Sequence, residues 1–273
     1  MKKFFAFLLV AAMLLAMCAC SGNSNSGSSG KAPLAGVTIT EGKLMVGAEI
    51  GYPPMEYMDK DGTTPIGFDV EFAQKLAEKL GLELDLINTA WDGIFASLDS
   101  NRYDLVISSC SITEERQKNY LMTKPYIANR LVLVTGKDSG IKSPEDLAGH
   151  TCATQTETTA DYYMRDLQEG GVKLSDYFVY DQVIQCFEEL KFGRVEAVLV
   201  DQVVASYYIG SDADKFEVVW ENSEAEPLGI AMKKGNTQLL DAVEKAIDEM
   251  YADGTVKAIA IKYFGSDTTA GVR

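Results

Sequence analysis

The stretch GFDVEFAQKLAEKLGLELDLI, residues 67–87, contains a helix, its stop and a strand in unbroken succession. Apolar side chains at 68, 70, 72, 73, 76, 77 and 80 recur at helical spacing, and Gly81 ends the run. Leu82, Leu84 and Leu86 then alternate with Glu83 and Asp85, which is the period of a strand. A helix feeding a strand through a single glycine is the repeating unit of an α/β fold.

The same alternation extends in both directions. Upstream, Leu44–Ala48 reads as a buried strand; downstream come a short helix over Ile94–Leu98 and a strand over Tyr103–Ile107 that runs into Ser108. A second cycle starts after Arg130. It holds a strand over 131–134, a short helix opened by Ser143-Pro144, a strand over 151–154 and a helix beginning at Thr158. A helix over 182–192, a strand over 197–200 that delivers Asp201, and a strand over 216–220 follow. Leu228–Met232 crosses back, and two helices parted by Asp253-Gly254 finish the chain. The pattern predicts an α/β fold with mainly parallel sheets, whose ligands bind beyond the carboxyl ends of the strands. Because the tail cannot belong to the second cycle, two lobes joined by two crossings are expected.

The N-terminus reads as a targeting segment. Lys2 and Lys3 precede an apolar run from Phe4 to Met17, about the length of a signal-peptide core and short for a membrane span. The segment ends in Met17-Cys18-Ala19-Cys20-Ser21-Gly22, which resembles a bacterial lipobox. Cys20, with the small Ala19 before it, is preferred over Cys18 as the lipidated residue. Residues 1–19 are therefore expected to be removed, and Cys20 through residue 42 to form a lipidated tether, rich in Ser and Gly up to Gly30.

The formal net charge of −15 argues against nucleic acid and against attraction to anionic membrane surfaces. Beyond the lipobox, Cys110, Cys152 and Cys186 remain, and His150 is the only histidine. Their spacing fits no metal motif, so no metal and no cofactor is implied. Three free buried thiols are expected, with Cys152–Cys186 the pair if one forms.

Gly67-Phe68-Asp69-Val70-Glu71-Phe72, followed by Leu76 and Ala77, resembles the signature of the family 3 extracellular solute-binding proteins. Three further segments carry the same resemblance. Tyr52-Pro53-Pro54-Met55-Glu56-Tyr57 looks like the family's early binding loop, and Ser108-Ser109-Cys110-Ser111-Ile112-Thr113-Glu114-Glu115-Arg116 like its carboxylate clamp. Asp253-Gly254-Thr255 through Lys262-Tyr263-Phe264 looks like its closing helix. The resemblance implies a two-lobed fold of the type II periplasmic-binding-protein kind. Lobe 1 would comprise residues 43–130 plus 227–273 and lobe 2 residues 131–226, with hinges near 128–131 and 224–229. It also implies a monomeric receptor that delivers a free amino acid to an ABC importer permease from the outer face of the cell membrane.

A free amino acid is a zwitterion, so its receptor needs a cation, an anion and directed donors. Arg116 can meet a carboxylate bidentately; the match of Ser109, Ser111 and Thr113 beside it implies the clamp role rather than that of a solvated arginine. Asp201 is implied as the partner of the ligand ammonium and could also cap the helix starting at Gln202. Thr158 is implied to offer its backbone N–H to the ligand carboxylate, or to cap its helix. Glu157 departs from the family, which has Gly or another small residue there. Tyr52 and Trp91 are the candidates to sandwich the ligand side chain. Glu49, at the end of the first strand, bears on selectivity and favours a cationic or polar ligand, whereas Glu56 is expected on the surface. An alternative in another class is an enzyme similar to the cyclohexadienyl or prephenate dehydratases that share the fold, but no acid/base pair stands out for it. A sensor module is the third possibility, without a kinase or membrane segment after the second lobe to support it.

Overall fold

The computed structural model describes residues 34–273. The signal segment, Cys20 and the Ser/Gly run lie outside these residues. The folded body begins ahead of the expected boundary at 43: Leu34 is buried, and the Ile39 N–H donates to the Asp104 carboxylate at 2.7 Å.

Two five-stranded sheets organise the chain. The first contains β1 (Lys43–Ala48), β4 (Glu83–Asn88), β5 (Leu105–Val106), β6 (Tyr120–Met122) and β12 (Ala231–Lys233), in the order β4-β1-β5-β12-β6. A small hairpin of β2 (Tyr57–Met58) and β3 (Pro65–Ile66) leads into helix α1 (Phe68–Leu80). The second sheet contains β7 (Leu131–Gly136), β8 (Thr151–Gln155), β9 (Asp176–Tyr180), β10 (Ala197–Asp201) and β11 (Phe216–Glu221), in the order β11-β7-β10-β8-β9. Neither sheet is mainly parallel throughout. In the first, β4, β1 and β5 run parallel while β12 is antiparallel to β5 and β6; in the second, β10, β8 and β9 run parallel while β7 and β11 run against their neighbours. The antiparallel strands are those laid down where the chain enters or leaves a lobe, and hydrophobic period carries no information on direction.

The helix read from residues 67–87 forms with the bounds its pattern gives. Phe68, Phe72, Ala73, Leu76 and Ala77 are its buried stripe, and Gly81 closes it in the left-handed conformation at φ 70°. Phe68 and Phe72 pack on Tyr126 at ring-centroid distances of 6.2 and 4.9 Å, and Phe68 packs on Phe264 at 5.2 Å. Each such buried ring contributes about 1.5–3 kcal/mol of hydrophobic stabilisation. Phe264 ends the last helix, so the tail packs on α1. Gly67 is needed where α1 starts. At φ 132° it lies so close to the Met55–Glu56 backbone that a Cβ would fall 2.1 Å from the Met55 carbonyl oxygen. The Pro54 and Met55 carbonyls accept the first helical N–H groups, from Phe68 and Asp69, at 3.0 and 2.8 Å.

The chain crosses between the sheets over residues 123–130 and returns over 222–230. These crossings pair side by side: Leu228 N–H donates to Ile127 O at 3.0 Å, Tyr126 N–H to Leu228 O at 2.9 Å, and Glu226 N–H to Asn129 O at 2.8 Å. Cys110, Cys152 and Cys186 are buried free thiols.

Candidate ligand site

Three strands of the first sheet and two of the second end toward one cavity. Glu49 follows β1, Trp91 follows β4, Ser109 and Ser111 follow β5, Thr158 follows β8, and Asp201 closes β10. These residues line the cavity together with Tyr52 and Arg116, so all eight of the site residues expected from sequence share one wall-to-wall space. Glu56, Ser108, Gln155 and Thr159 complete the lining. Strand ends converge because parallel strands point their carboxyl termini the same way, and loops there are free to carry polar groups.

A short helix α2 (Ile94–Asp99) follows Trp91, and Arg116 sits in the six-residue helix α3 (Glu114–Asn119). Thr113 caps α3 by accepting the Arg116 N–H at 3.1 Å. Arg116 is 9% exposed, and its guanidinium donates from Nη1 to the Ser111 carbonyl at 2.9 Å and lies over the rings of Trp91 and Phe95 at 5.1 and 5.3 Å. One of its five N–H donors is thereby spent on orientation, leaving an edge for a carboxylate. Ser109 holds φ 46° because its N–H reaches back to Asp69 Oδ2 at 2.8 Å, and its hydroxyl is buried with no partner. A non-glycine residue in that conformation costs about 1–2 kcal/mol, retained here by the surrounding hydrogen bonds.

Across the cavity, Asp201 occupies the N-cap position of its helix but makes no capping bond. Instead its carboxylate accepts from Tyr52 OH at 2.7 Å and from Asn129 Nδ2 at 2.5 Å. Burial raises its pKa above the usual value, and the bonds from Tyr52 and Asn129 oppose that rise. Trp91 donates Nε1–H to the Glu157 carbonyl at 3.0 Å, and Gln155 donates Nε2–H to Glu49 Oε2 at 2.7 Å. With Tyr52–Asp201, these hydrogen bonds join residues that follow strands of the first sheet to residues at strand ends of the second. Thr158 caps helix α4 (Thr159–Glu169), accepting from the Asp161 N–H at 3.3 Å while donating to Gln155 O at 2.8 Å. Glu157 takes φ 55°, the left-handed region in which a glycine would sit without strain. Glu157 lines an adjoining outer groove that shares Trp91, Arg116 and Thr159 with the inner cavity, and it is not among the residues lining the inner cavity itself.

Glu49 is buried, and burial lifts its pKa to about 7 against the lowering effect of the Gln155 hydrogen bond; Asp92 and Asp181 push it further up. Glu56 contradicts the surface expectation: it is fully buried, accepts from Ser108 Oγ at 2.7 Å and forms part of the cavity lining. Residues 44–266 match the model of the bacterial extracellular solute-binding proteins, family 3. The chain belongs to that family. This family 3 protein is 38% identical to the L-cystine-binding protein TcyJ of Escherichia coli K12 over 230 residues, which cover 84% of the chain and 85% of the relative. It is 34% identical to the arginine-binding extracellular protein ArtP of Bacillus subtilis over 97% of the chain and 98% of that protein. Among solved structures, an ancestral arginine-binding protein bound to arginine superposes with a TM-score of 0.76 at 38% identity, covering 82% of the chain and 99% of that structure. These relatives carry the names of binding proteins, not of enzymes.

Gln155, Ser108, Asn129 and Thr159 are site or support residues that sequence reasoning passed over. Gln155 was accessible to it: the residue at the end of β8 answers to the same strand-end rule that singles out Glu49 and Asp201. Asn129 carries no such signal, because it lies in a crossing and reaches Asp201 only in the folded chain.

Proposed function

We propose that this solute-binding protein is the receptor of an ABC importer for a free amino acid, with a cationic or polar side chain favoured. The observation that carries the reading is the placement of the Arg116 guanidinium and the Asp201 and Glu49 carboxyls around a single cavity between aromatic and hydroxyl side chains. In this reading Arg116 takes the α-carboxylate, with the Ser109 hydroxyl and the Thr158 end of α4 as further donors. Asp201 takes the ammonium. The side chain passes between Tyr52 and Trp91 toward Glu49 and Gln155. Relatives named for binding cystine and arginine support an amino acid as the solute.

A thermal-shift screen of the twenty common amino acids with ornithine, citrulline and cystine tests it. A ligand at about a thousand times its Kd stabilises by about 4 kcal/mol, and Arg116→Ala is expected to abolish the shift while melting as a folded protein. Absence of any shift in the wild type, or an undiminished one in Arg116→Ala, would defeat the reading. The export and anchoring expected from Lys2 to Cys20 belong to the same reading. Cys20→Ser is expected to release the protein from the membrane fraction, and continued membrane association would remove the lipid anchor.

A further inference from the structure

Glu56 and Asp69 are buried to 0% and 1% exposure, one in the turn after Tyr52 and the other in the first turn of α1. Glu56 Oε1 accepts from Ser108 Oγ at 2.7 Å; Asp69 Oδ2 accepts from Ser109 N–H at 2.8 Å and from Tyr126 OH at 2.9 Å. The other two oxygens, Glu56 Oε2 and Asp69 Oδ1, are buried without a hydrogen-bond partner among the described residues. The Asp69 N–H donates to the Met55 carbonyl at 2.8 Å, and the two carboxyls hold the adjacent residues Ser108 and Ser109, so they lie near one another. Two ionised carboxylates brought close inside a protein repel and leave two acceptors unmet. One proton between them removes both costs. The missing side chain of Gly67 is what lets the Met55–Glu56 backbone come this near the start of α1.

We infer that Glu56 and Asp69 share one proton, and that this acid–carboxylate pair is the positioning element of the ligand site. Glu56 holds Ser108, whose hydroxyl in turn accepts the Glu49 N–H at 3.0 Å, and Asp69 holds Ser109 in its left-handed conformation. The inference rests on the cavity being the ligand site. Glu49 at the end of β1, Tyr52 in the same turn, Tyr126 in the first crossing and Cys110 in the serine loop act on the pair, and Arg116 and Asp201 line the same cavity as Glu56. Burial first, and the Asp69 carboxyl next, raise Glu56 well above the usual carboxylate range. A raised pKa gives stability that is complete below the ordinary value and is lost as pH rises through the folded one, so the pair weakens the protein on the alkaline side.

Carboxyl 13C NMR of protein labelled at Glu and Asp, titrated from pH 4 to 10, reads the proton directly without any variant of the pair. One glutamate besides Glu49 (the latter identified with Glu49→Gln) is expected to stay protonated at pH 7, and its titration is expected to move an aspartate resonance. Both effects should vanish in Glu56→Gln. For the amino acid giving the largest thermal shift, Glu56→Ala is expected to weaken binding at least tenfold, and Glu56→Gln, whose amide can donate where the proton did, to restore it to within threefold. The melting-temperature difference between Glu56→Gln and wild type should grow in favour of the variant as pH rises. Ionisation of every carboxyl but Glu49 below pH 6, or a Gln variant as weak as the Ala variant, would overturn the pair. If no amino acid binds, the receptor reading fails and the titration still decides the proton.

Discussion

Glu49→Gln turns the selectivity of the site into a measurable proton. In the ligand-free protein Glu49 has a pKa of about 7 because burial disfavours its charge. A ligand with a cationic side chain, placed against that carboxyl, favours the ionised form and draws the pKa back toward the acid range. Observed affinity then scales with the fraction of Glu49 ionised before binding. That fraction is about 0.9 at pH 8, about 0.5 at pH 7 and about 0.03 at pH 5.5, from one pKa unit per 1.36 kcal/mol. The affinity for L-arginine or L-lysine should therefore fall about 30-fold, or about 2 kcal/mol, between pH 8 and pH 5.5. Calorimetry at pH 6 in buffers of different ionisation enthalpy should detect release of nearly one proton on binding. Glu49→Gln should bind these ligands more weakly, release no proton at this group and lose the slope. Stability without ligand runs the other way. The folded pKa lies above the unfolded one, so the contribution is complete below about 4.5 and lost through about 7, and Glu49→Gln should gain on wild type by up to about 3 kcal/mol across that window. Tight binding of L-arginine with no pH slope, or an identical slope in Glu49→Gln, would refute the reasoning.

Tyr52→Phe removes the 2.7 Å bond that joins the Tyr52 turn to Asp201 and leaves a buried carboxylate oxygen short of a donor. The cost is about 1–3 kcal/mol, read as a 5- to 150-fold loss of amino-acid affinity by calorimetry, and an unchanged Kd would show that the bond does not support the bound state. Gly67→Ala places a Cβ 2.1 Å from the Met55 carbonyl oxygen at a φ of 132°. About 2–4 kcal/mol of destabilisation is expected, a fall in Tm of roughly 5–15 °C by calorimetric scanning, and a Tm within two degrees of wild type would contradict the close approach. Glu157→Gly exchanges about 1–2 kcal/mol of left-handed backbone strain for about 0.5–1 kcal/mol of added glycine entropy, so stability should rise by no more than about 1.5 kcal/mol. Glu157 lines the outer groove and not the inner cavity, so a more than tenfold loss of affinity for the amino acid bound would show that it reaches the ligand.

Residues 67–87 were legible because both their periods are local: a buried stripe every three or four residues, then alternation, then a glycine that only a helix end requires. Glu49 and Asp201 were legible for a related reason, since a strand read from its pattern announces where its carboxyl end will be, whereas Ser109 and Thr158 were marked by the resemblance of their segments to the family's. The three-residue β6 and the edge strand β9, whose exposed Val179 breaks the pattern, gave periodicity too little length to act on. Strand direction was also hidden, because alternation is the same read forward or backward. Glu56 marks a deeper limit. Nothing in Pro54-Met55-Glu56-Tyr57 distinguishes a solvated carboxylate from a buried one; the difference is made by Asp69 and Ser108, distant in sequence, and by the bare Cα of Gly67 that lets them meet. A carboxyl that must share a proton to be buried is a property of two residues at once. It follows that a change at either end of the pair should be felt at the other, and Asp69→Asn is expected to alter the 13C titration of Glu56 even though no bond to the ligand has been touched.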